Sequence, residues 1–409
     1  MQISKSRVLL PLAGILLAVS GCSRSATMAP AGAAPNASKD PRVGLRAGMF
    51  DAGEATSNMK VMSRTPPSEK FMGATNSDLA FTGKYAIQGS YNGFQVWDIS
   101  NPSSPSLTTA YFCPASQSDV SVYKNLLFVS GEANTGRLDC GAQGAPGPVN
   151  KDRLRGIRIF DIADIKNPKY IANVQTCRGS HTHTVLEDPK DRDNVYIYVS
   201  GSSAVRPAEE LAGCVSEAQA PNSSMFRIEV IKVPLADPTK AAIVASPRIF
   251  QNLQGISSHG PTEADKVAAA KILADAKASG QFTADVMGEI MVLPPQFTGP
   301  MLDSLVKVRK GSGAPTAADS AALRAAIPGI IAKMIGPAGD HTGPNQCHDI
   351  TVYPALGLAG GACEGYGLLL DIRNPTAPVR IDAVADSNFA YWHSATFNND
   401  GTKVLFSDE

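Results

Sequence analysis

All six histidines of this 409-residue chain fall in its second part: His181, His183, His259, His341, His348 and His393. Neutral imidazole is the commonest transition-metal ligand, and copper, zinc and iron all accept it. His181 heads the run His181-Thr182-His183-Thr184-Val185, and His348 heads His348-Asp349-Ile350-Thr351-Val352 in the same register. His393 stands at the matching place in Tyr391-Trp392-His393-Ser394-Ala395. If the strand is regular, His183 points the same way as His181, since side chains alternate in β structure. A metal set of His181, His183, His348 and His393 follows as one reading. Hydrogen-bonded structural histidines, copied by descent of a repeat, are the other.

The remaining chemistry-bearing residues narrow the choice of reaction only by exclusion. The chain has no Gly-x-Ser-x-Gly, no His-Glu-x-x-His, no phosphate-binding glycine loop and no haem-attachment motif. No catalytic residue is therefore assigned. Lysine plus arginine equal aspartate plus glutamate at 37 each, with no long basic run, so nothing draws the chain to nucleic acid.

Cysteines report the compartment. Cys113, Cys177 and Cys347 each precede a first strand, and Cys140, Cys214 and Cys363 fall between a second and a third strand. Those loops share one face of an up-and-down sheet, so Cys113 with Cys140, Cys177 with Cys214, and Cys347 with Cys363 is the expected pairing among about fifteen. It fits an oxidising compartment. Free thiols or a metal-thiolate site is the rival, without any Cys-x-x-Cys spacing.

The elements that must position these residues repeat. Gly93-Phe94-Gln95-Val96-Trp97-Asp98 leads to Asn101-Pro102, Gly156-Ile157-Arg158-Ile159-Phe160-Asp161 to Asn167-Pro168, and Gly367-Leu368-Leu369-Leu370-Asp371 to Asn374-Pro375. A weaker copy runs from Phe226 to Asp237-Pro238, with Lys232 where its aspartate belongs. Asp98, Asp161 and Asp371 can accept turn amides, and proline cannot continue a central ladder, so each copy is a punctuated strand. Asp78, Asp119 and Asp349 recur in the first strands, where they would bond backbone groups between neighbouring units. The spacing from Asp78 to Asp119 is about forty residues, the length of a four-stranded propeller blade.

These residues resemble the LVIVD-repeat proteins, named for an apolar strand ending in aspartate, here Phe94 to Asp98 and Leu368 to Asp371. The resemblance covers about Phe71 to Glu409 apart from an insertion. It implies an all-β fold, a β-propeller of four-stranded blades, and an exported protein without an assigned activity. The chain stops inside a unit, after Val404-Leu405-Phe406-Ser407, so we expect a piece of a longer protein of about seven blades. A strand near Met59-Lys60-Val61-Met62 would then close the ring.

The N-terminus reads as a signal: Lys5 and Arg7, then an apolar run from Val8 to Val19 too short to span a bilayer. Val19-Ser20-Gly21-Cys22 resembles a lipobox, making Cys22 the expected lipidation site and a membrane the first partner. Residues 23–41 are a polar, Ala/Pro/Ser-rich tether. Residues 262–338 turn Ala-rich; Pro261 heads the run Glu263–Ser279 and Gly280 follows it, as in a helical insertion of three or four helices broken at Met291–Pro295. It leaves from the face carrying the cysteine loops, and either forms a lid or packs beside the disc.

The expected division is a lipoprotein signal peptide at 1–21, an extension at 22–58, three blades at 59–259, the insertion at 260–341, and a fourth blade with the start of a fifth at 342–409. Two functions compete. One is a binding or scaffolding module at the bacterial cell envelope for a protein, glycan or small ligand. The other is a metal-dependent enzyme, oxidising with copper or hydrolysing with zinc at a histidine site.

Overall fold

Strands such as Leu126–Gly131 and Gly156–Asp161 are buried at nearly every position. Simple one-face alternation would leave half of each run in water, so these strands are covered on both faces. The computed structural model of the protein describes residues 40–46, 51–253, 261–286, 288–335 and 343–409. The signal, Cys22, His259 and His341 lie outside the described residues. The described residues within 62–259 and 339–409 form one unit, and those within 1–61 and 260–338 another.

The first unit opens with β1 (Asn76–Thr82), β2 (Tyr85–Ser90), β3 (Gly93–Asp98) and β4 (Ser106–Phe112), paired in chain order as an antiparallel meander. β5 (Val120–Tyr123), β6 (Leu126–Gly131), β7 (Gly156–Asp161) and β8 (Lys169–Gln175) repeat the pattern, as do β9 (His183–Asp188), β10 (Asp191–Val199), β11 (Glu229–Pro234) and β12 (Ala242–Ala245). The second unit then contributes α1 (Glu263–Ala278), β13 (Thr283–Val286), β14 (Glu289–Val292), α2 (Pro295–Val308) and α3 (Ala317–Ile335). The first unit resumes with β15 (Asp349–Tyr353), β16 (Leu358–Cys363), β17 (Tyr366–Asp371) and β18 (Val379–Val384), followed by a hairpin of β19 (Trp392–Phe397) and β20 (Val404–Asp408).

Three apolar clusters lie between successive sheets rather than within them. Ile87, Phe94 and Val96 meet Leu127, Val129 and Phe160. Phe128, Ile157 and Ile159 meet Val195, Ile197 and Ile231. Tyr196, Tyr198 and Val230 meet Ile350, Leu368 and Leu370. Sheets stacked face to face in sequence, with their first strands side by side, make a β-propeller. Aspartates of the first strands stitch the seams: Asp78 Oδ2 accepts from Val120 N at 3.1 Å, and Asp119 Oδ2 from His183 N at 3.0 Å. On the next seam Thr182 Oγ1 donates to His348 O at 2.6 Å.

The repeat aspartates close turns. Asp98 Oδ1 accepts from Ser100 N at 2.9 Å, Asp161 Oδ1 from Ala163 N at 2.9 Å, and Asp371 Oδ1 from Arg373 N at 3.0 Å. Lys232 pairs with Tyr196 as Asp161 pairs with Leu126, so it does occupy the aspartate's place in the weak copy. The glycines heading the first two repeat phrases, Gly93 and Gly156, are backbone requirements. Gly156 has φ +147°, and a Cβ there would run into Val174 O of the paired strand. Gly156→Ala should lower the unfolding free energy by about 1–3 kcal/mol in denaturant titration. An unchanged midpoint would show that the strand can shift.

Residues 59–62 carry no strand, and Met59 and Met62 are exposed. One expectation needs correction. The insertion is not wholly helical, because β13 and β14 form a hairpin between α1 and α2. Its Ala284 and Val286 pack with Leu293, Leu323, Ile327 and Ile331 in a core of the second unit's own. α1 begins as anticipated, with Thr262 and Asp265 forming a capping box, and Gly280 follows its end at φ +70°.

Candidate metal centre

Two repeat positions meet at one end of the first strands. Asp119 O accepts from Ser130 N, His183 pairs with Val199, Asp349 with Ala362, and Ala395 with Phe406. These pairings make Ser118, His181, His348 and His393 equivalent, each one residue before the seam position. They also make Glu132, Ser202, Glu364 and Glu409 equivalent, each just past or at the end of a second strand. Three successive sheets thus supply an imidazole at one register, and neighbouring second strands supply carboxylates at another.

The side chains form a row. His181 Nδ1 lies 2.6 Å from Glu132 Oε1, and His181 Nε2 lies 3.1 Å from His348 Nε2. The rings of His348 and His393 are 3.9 Å apart between centroids, and His393 Nε2 is 3.8 Å from Glu409 Oε2. One ligand atom from each of His348, His393 and Glu409 falls within 4.8 Å of the others. At the far end, Ser202 Oγ donates to Glu132 Oε2 at 2.5 Å and Ser203 Oγ to Glu132 O at 3.2 Å.

Electrostatics separate the imidazoles. Burial, then the charges of His181 and His393, push His348 down to about 3, so it is neutral at physiological pH. Burial works against the charged form of His181, but the adjacent Glu132 charge and hydrogen bond outweigh it and raise the imidazole. Burial likewise opposes the Glu132 carboxylate, yet His181 and Ser202 hold it below its ordinary value. Nearby, burial pushes Glu364 up to about 7; its Oε2 accepts from Asn345 N at 2.7 Å. Tyr391, raised by burial, packs edge-on to His348 with ring centroids 6.2 Å apart.

Two imidazole nitrogens facing each other at 3.1 Å need either a proton or a cation between them. Ligands about 2.0–2.1 Å from zinc in a tetrahedron stand roughly 3.3 Å apart. The spacing of His181 and His348 therefore suits a shared first-row metal; the donor atoms of His348, His393 and Glu409 converge on the other side, and His181 joins that group only through His348.

His183 is not part of this row. β9 begins at His183, with bends at 181 and 182, so strand alternation does not reach back to His181. Its ring is buried, with Nδ1 2.9 Å from Ser130 Oγ and 2.9 Å from Asp119 Oδ2. Of the inner aspartates, Asp78 is raised to about 6 by burial and then by the charge of Asp119, and Asp349 is raised by the same two causes. Glu132 and Glu409 were absent from the sequence reading; extending the repeat alignment past the second strand reveals both.

Three disulfides close among the described residues: Cys113–Cys140, Cys177–Cys214 and Cys347–Cys363. Cys363 is the last residue of β16 rather than a loop residue. The bonds suggest an extracytoplasmic protein. No helix among the described residues is long and apolar enough to cross a membrane.

The LVIVD repeat family model matches residues 73–112, which contain the whole first sheet. No curated protein matches the chain. Among solved structures, the chain is similar to a functionally unknown protein from Desulfotomaculum acetoxidans, at 10% identity over 84% of this chain and 68% of that one, with a TM-score of 0.40. It is similar to a hypothetical selenium-binding protein from Sulfolobus tokodaii, at 9% identity over 80% and 67%, TM-score 0.33. A periplasmic gluconolactonase from Pseudomonas aeruginosa matches at 10% identity over 87% and 82%, TM-score 0.32.

Proposed function

Proceeding from a β-propeller that carries an LVIVD repeat, we propose that the protein binds one divalent transition metal through His181, His348, His393 and Glu409. It does so outside the cytoplasm, tethered to the cell envelope by a lipid on Cys22. The observation that carries the reading is the row itself: two Nε2 atoms at 3.1 Å, continued by His393 and Glu409. Imidazole with one carboxylate is a donor set of intermediate softness, suited to zinc, copper(II) or iron(II). A metal held there would supply a Lewis acid for water or substrate activation. The residues hold and orient: neutral His348 offers a lone pair without first losing a proton, and Glu409 adds a carboxylate beside His393.

The envelope binding module keeps one observation of its own. Disulfides Cys113–Cys140 and Cys177–Cys214 anchor long loops next to the second and third sheets, and such loops could present a rigid surface to a protein or glycan.

Calorimetric titration of the metal-stripped protein with zinc and with copper(II) decides between them. We expect about one equivalent bound, and near-complete loss of binding in His348→Ala with the unfolding midpoint kept. Wild-type protein that takes up neither of these ions nor iron(II) would remove the metal reading and leave the histidines structural.

A further inference from the structure

Glu132 reaches across a seam: it follows β6 of the second sheet, while the histidine it touches precedes β9 of the third. Its two oxygens are committed to different partners, Oε1 to His181 Nδ1 at 2.6 Å and Oε2 to Ser202 Oγ at 2.5 Å. The residue equivalent to Glu132 in the third sheet is Ser202 itself, so two copies of one repeat position bond each other around the first imidazole of the row. A carboxylate can only accept, so the hydrogen in the short contact resides on His181 Nδ1. That places the lone pair of the neutral ring on Nε2, the atom that faces His348 Nε2.

We infer that Glu132 is a positioning residue of the metal centre, fixing His181 in the Nδ1–H tautomer so that Nε2 is presented as a ligand, with Ser202 holding the carboxylate in place. The inference rests on the metal reading for its consequence and on His181 geometry alone for its premise. Carboxylate–imidazole–metal arrangements of this kind orient the ring and raise its basicity. A carboxylate serving only to fill space would do neither.

The test has two arms. In the first, metal-free ¹⁵N-labelled protein at alkaline pH, where the imidazole is neutral, is examined by long-range ¹⁵N–¹H correlation. His181 should show a protonated Nδ1 and a lone pair on Nε2, and Glu132→Gln, whose amide can turn its NH2 toward Nδ1, should shift the population toward protonated Nε2. In the second, zinc titration of Glu132→Gln should give unchanged stoichiometry with about 10–100-fold weaker binding. Ser202→Ala should give a smaller loss in the same direction. In a His181→Ala background, Glu132→Gln should change zinc affinity no further, an epistasis that general loosening of the fold would not produce. Wild-type His181 protonated on Nε2, or Glu132→Gln binding within threefold of wild type, would overturn the inference. Wild-type protein that binds no metal would sink the metal reading, while the tautomer arm would still decide what Glu132 does to His181.

Discussion

Replacing Glu210 by alanine is expected to lower the unfolding free energy by about 3–5 kcal/mol, the cost of leaving buried charge without its partner. Glu210 Oε2 accepts from Asn150 N at 2.8 Å and from Arg153 Nη1, and its Oε1 accepts from Arg206 Nε at 2.7 Å. All three charged side chains are almost fully enclosed. Arg153 also donates to the carbonyls of Asn134 and Ala145, and Arg206 to Gln175 Oε1. With alanine at 210, two guanidinium groups would remain in a poorly solvated place with no anion between them. Denaturant unfolding under oxidising conditions measures the effect, and Glu210→Gln, which keeps an acceptor but not the charge, should fall between. A loss below about 1 kcal/mol for Glu210→Ala would mean that water reaches the arginines.

The same substitution should be felt at the proposed metal site. Glu210 lies inside the loop closed by Cys177–Cys214, and Arg206 follows shortly after Ser202 and Ser203, which hold Glu132. The chain of contacts runs from the triad through the 202–206 segment to Glu132 and His181. Loosening one end therefore lowers the order of the other, and zinc binding should weaken along with stability.

The blade pattern was legible because each strand phrase ends at an aspartate and a proline-bearing turn, a local signal repeated at Asp98, Asp161 and Asp371. The disulfides were legible for the same reason, since recurrence at one loop pair limits the partners geometrically. His181, His348 and His393 were legible as a set because they share a register. His183 was misplaced because a period-two argument presumes a strand already running at His181, whereas the chain bends there and enters the ladder two residues later. Glu132 and Glu409 were missed for a different reason. Their register passes through tyrosine at Tyr91 and serine at Ser202, so no common residue type announces it; only the pairing of strand one with strand two brings it to the same end of the sheet as the histidines. The hairpin of β13 and β14 was hidden by its Ala-rich flanks, whose composition favours helix while Val286, Ile290 and Val292 favour a strand.

The metal-free protein should show two opposite pH dependences within one site, separable by two neutral substitutions. His348 is held at about 3 in the fold and would titrate near 6.5 when unfolded. Below 6.5 the unfolded chain binds a proton that the folded chain refuses, so stability due to this group is present above 6.5 and lost as pH falls toward 3. Glu364 runs the other way: it is raised to about 7 from an ordinary 4.5, so its contribution is fully present below 4.5 and lost as pH rises through 7. His181, raised above 6.5, contributes stability that is already complete below that value and so adds no slope beneath it. Asp78, raised to about 6, and Asp349 slope in the same sense as Glu364, which hides the imidazole effect in the wild type alone. Differences between proteins remove that overlap. From pH 7 to 4.5, the stability of wild type relative to His348→Gln should fall by about 2 kcal/mol, while relative to Glu364→Gln it should rise by about 2 kcal/mol. Parallel curves would show that water enters the row and restores ordinary titration. Metal binding reverses the order of importance: His181 must lose its extra proton to offer Nε2, so zinc affinity should drop about tenfold per pH unit below the raised value of that ring, a dependence that His348, already neutral, does not share.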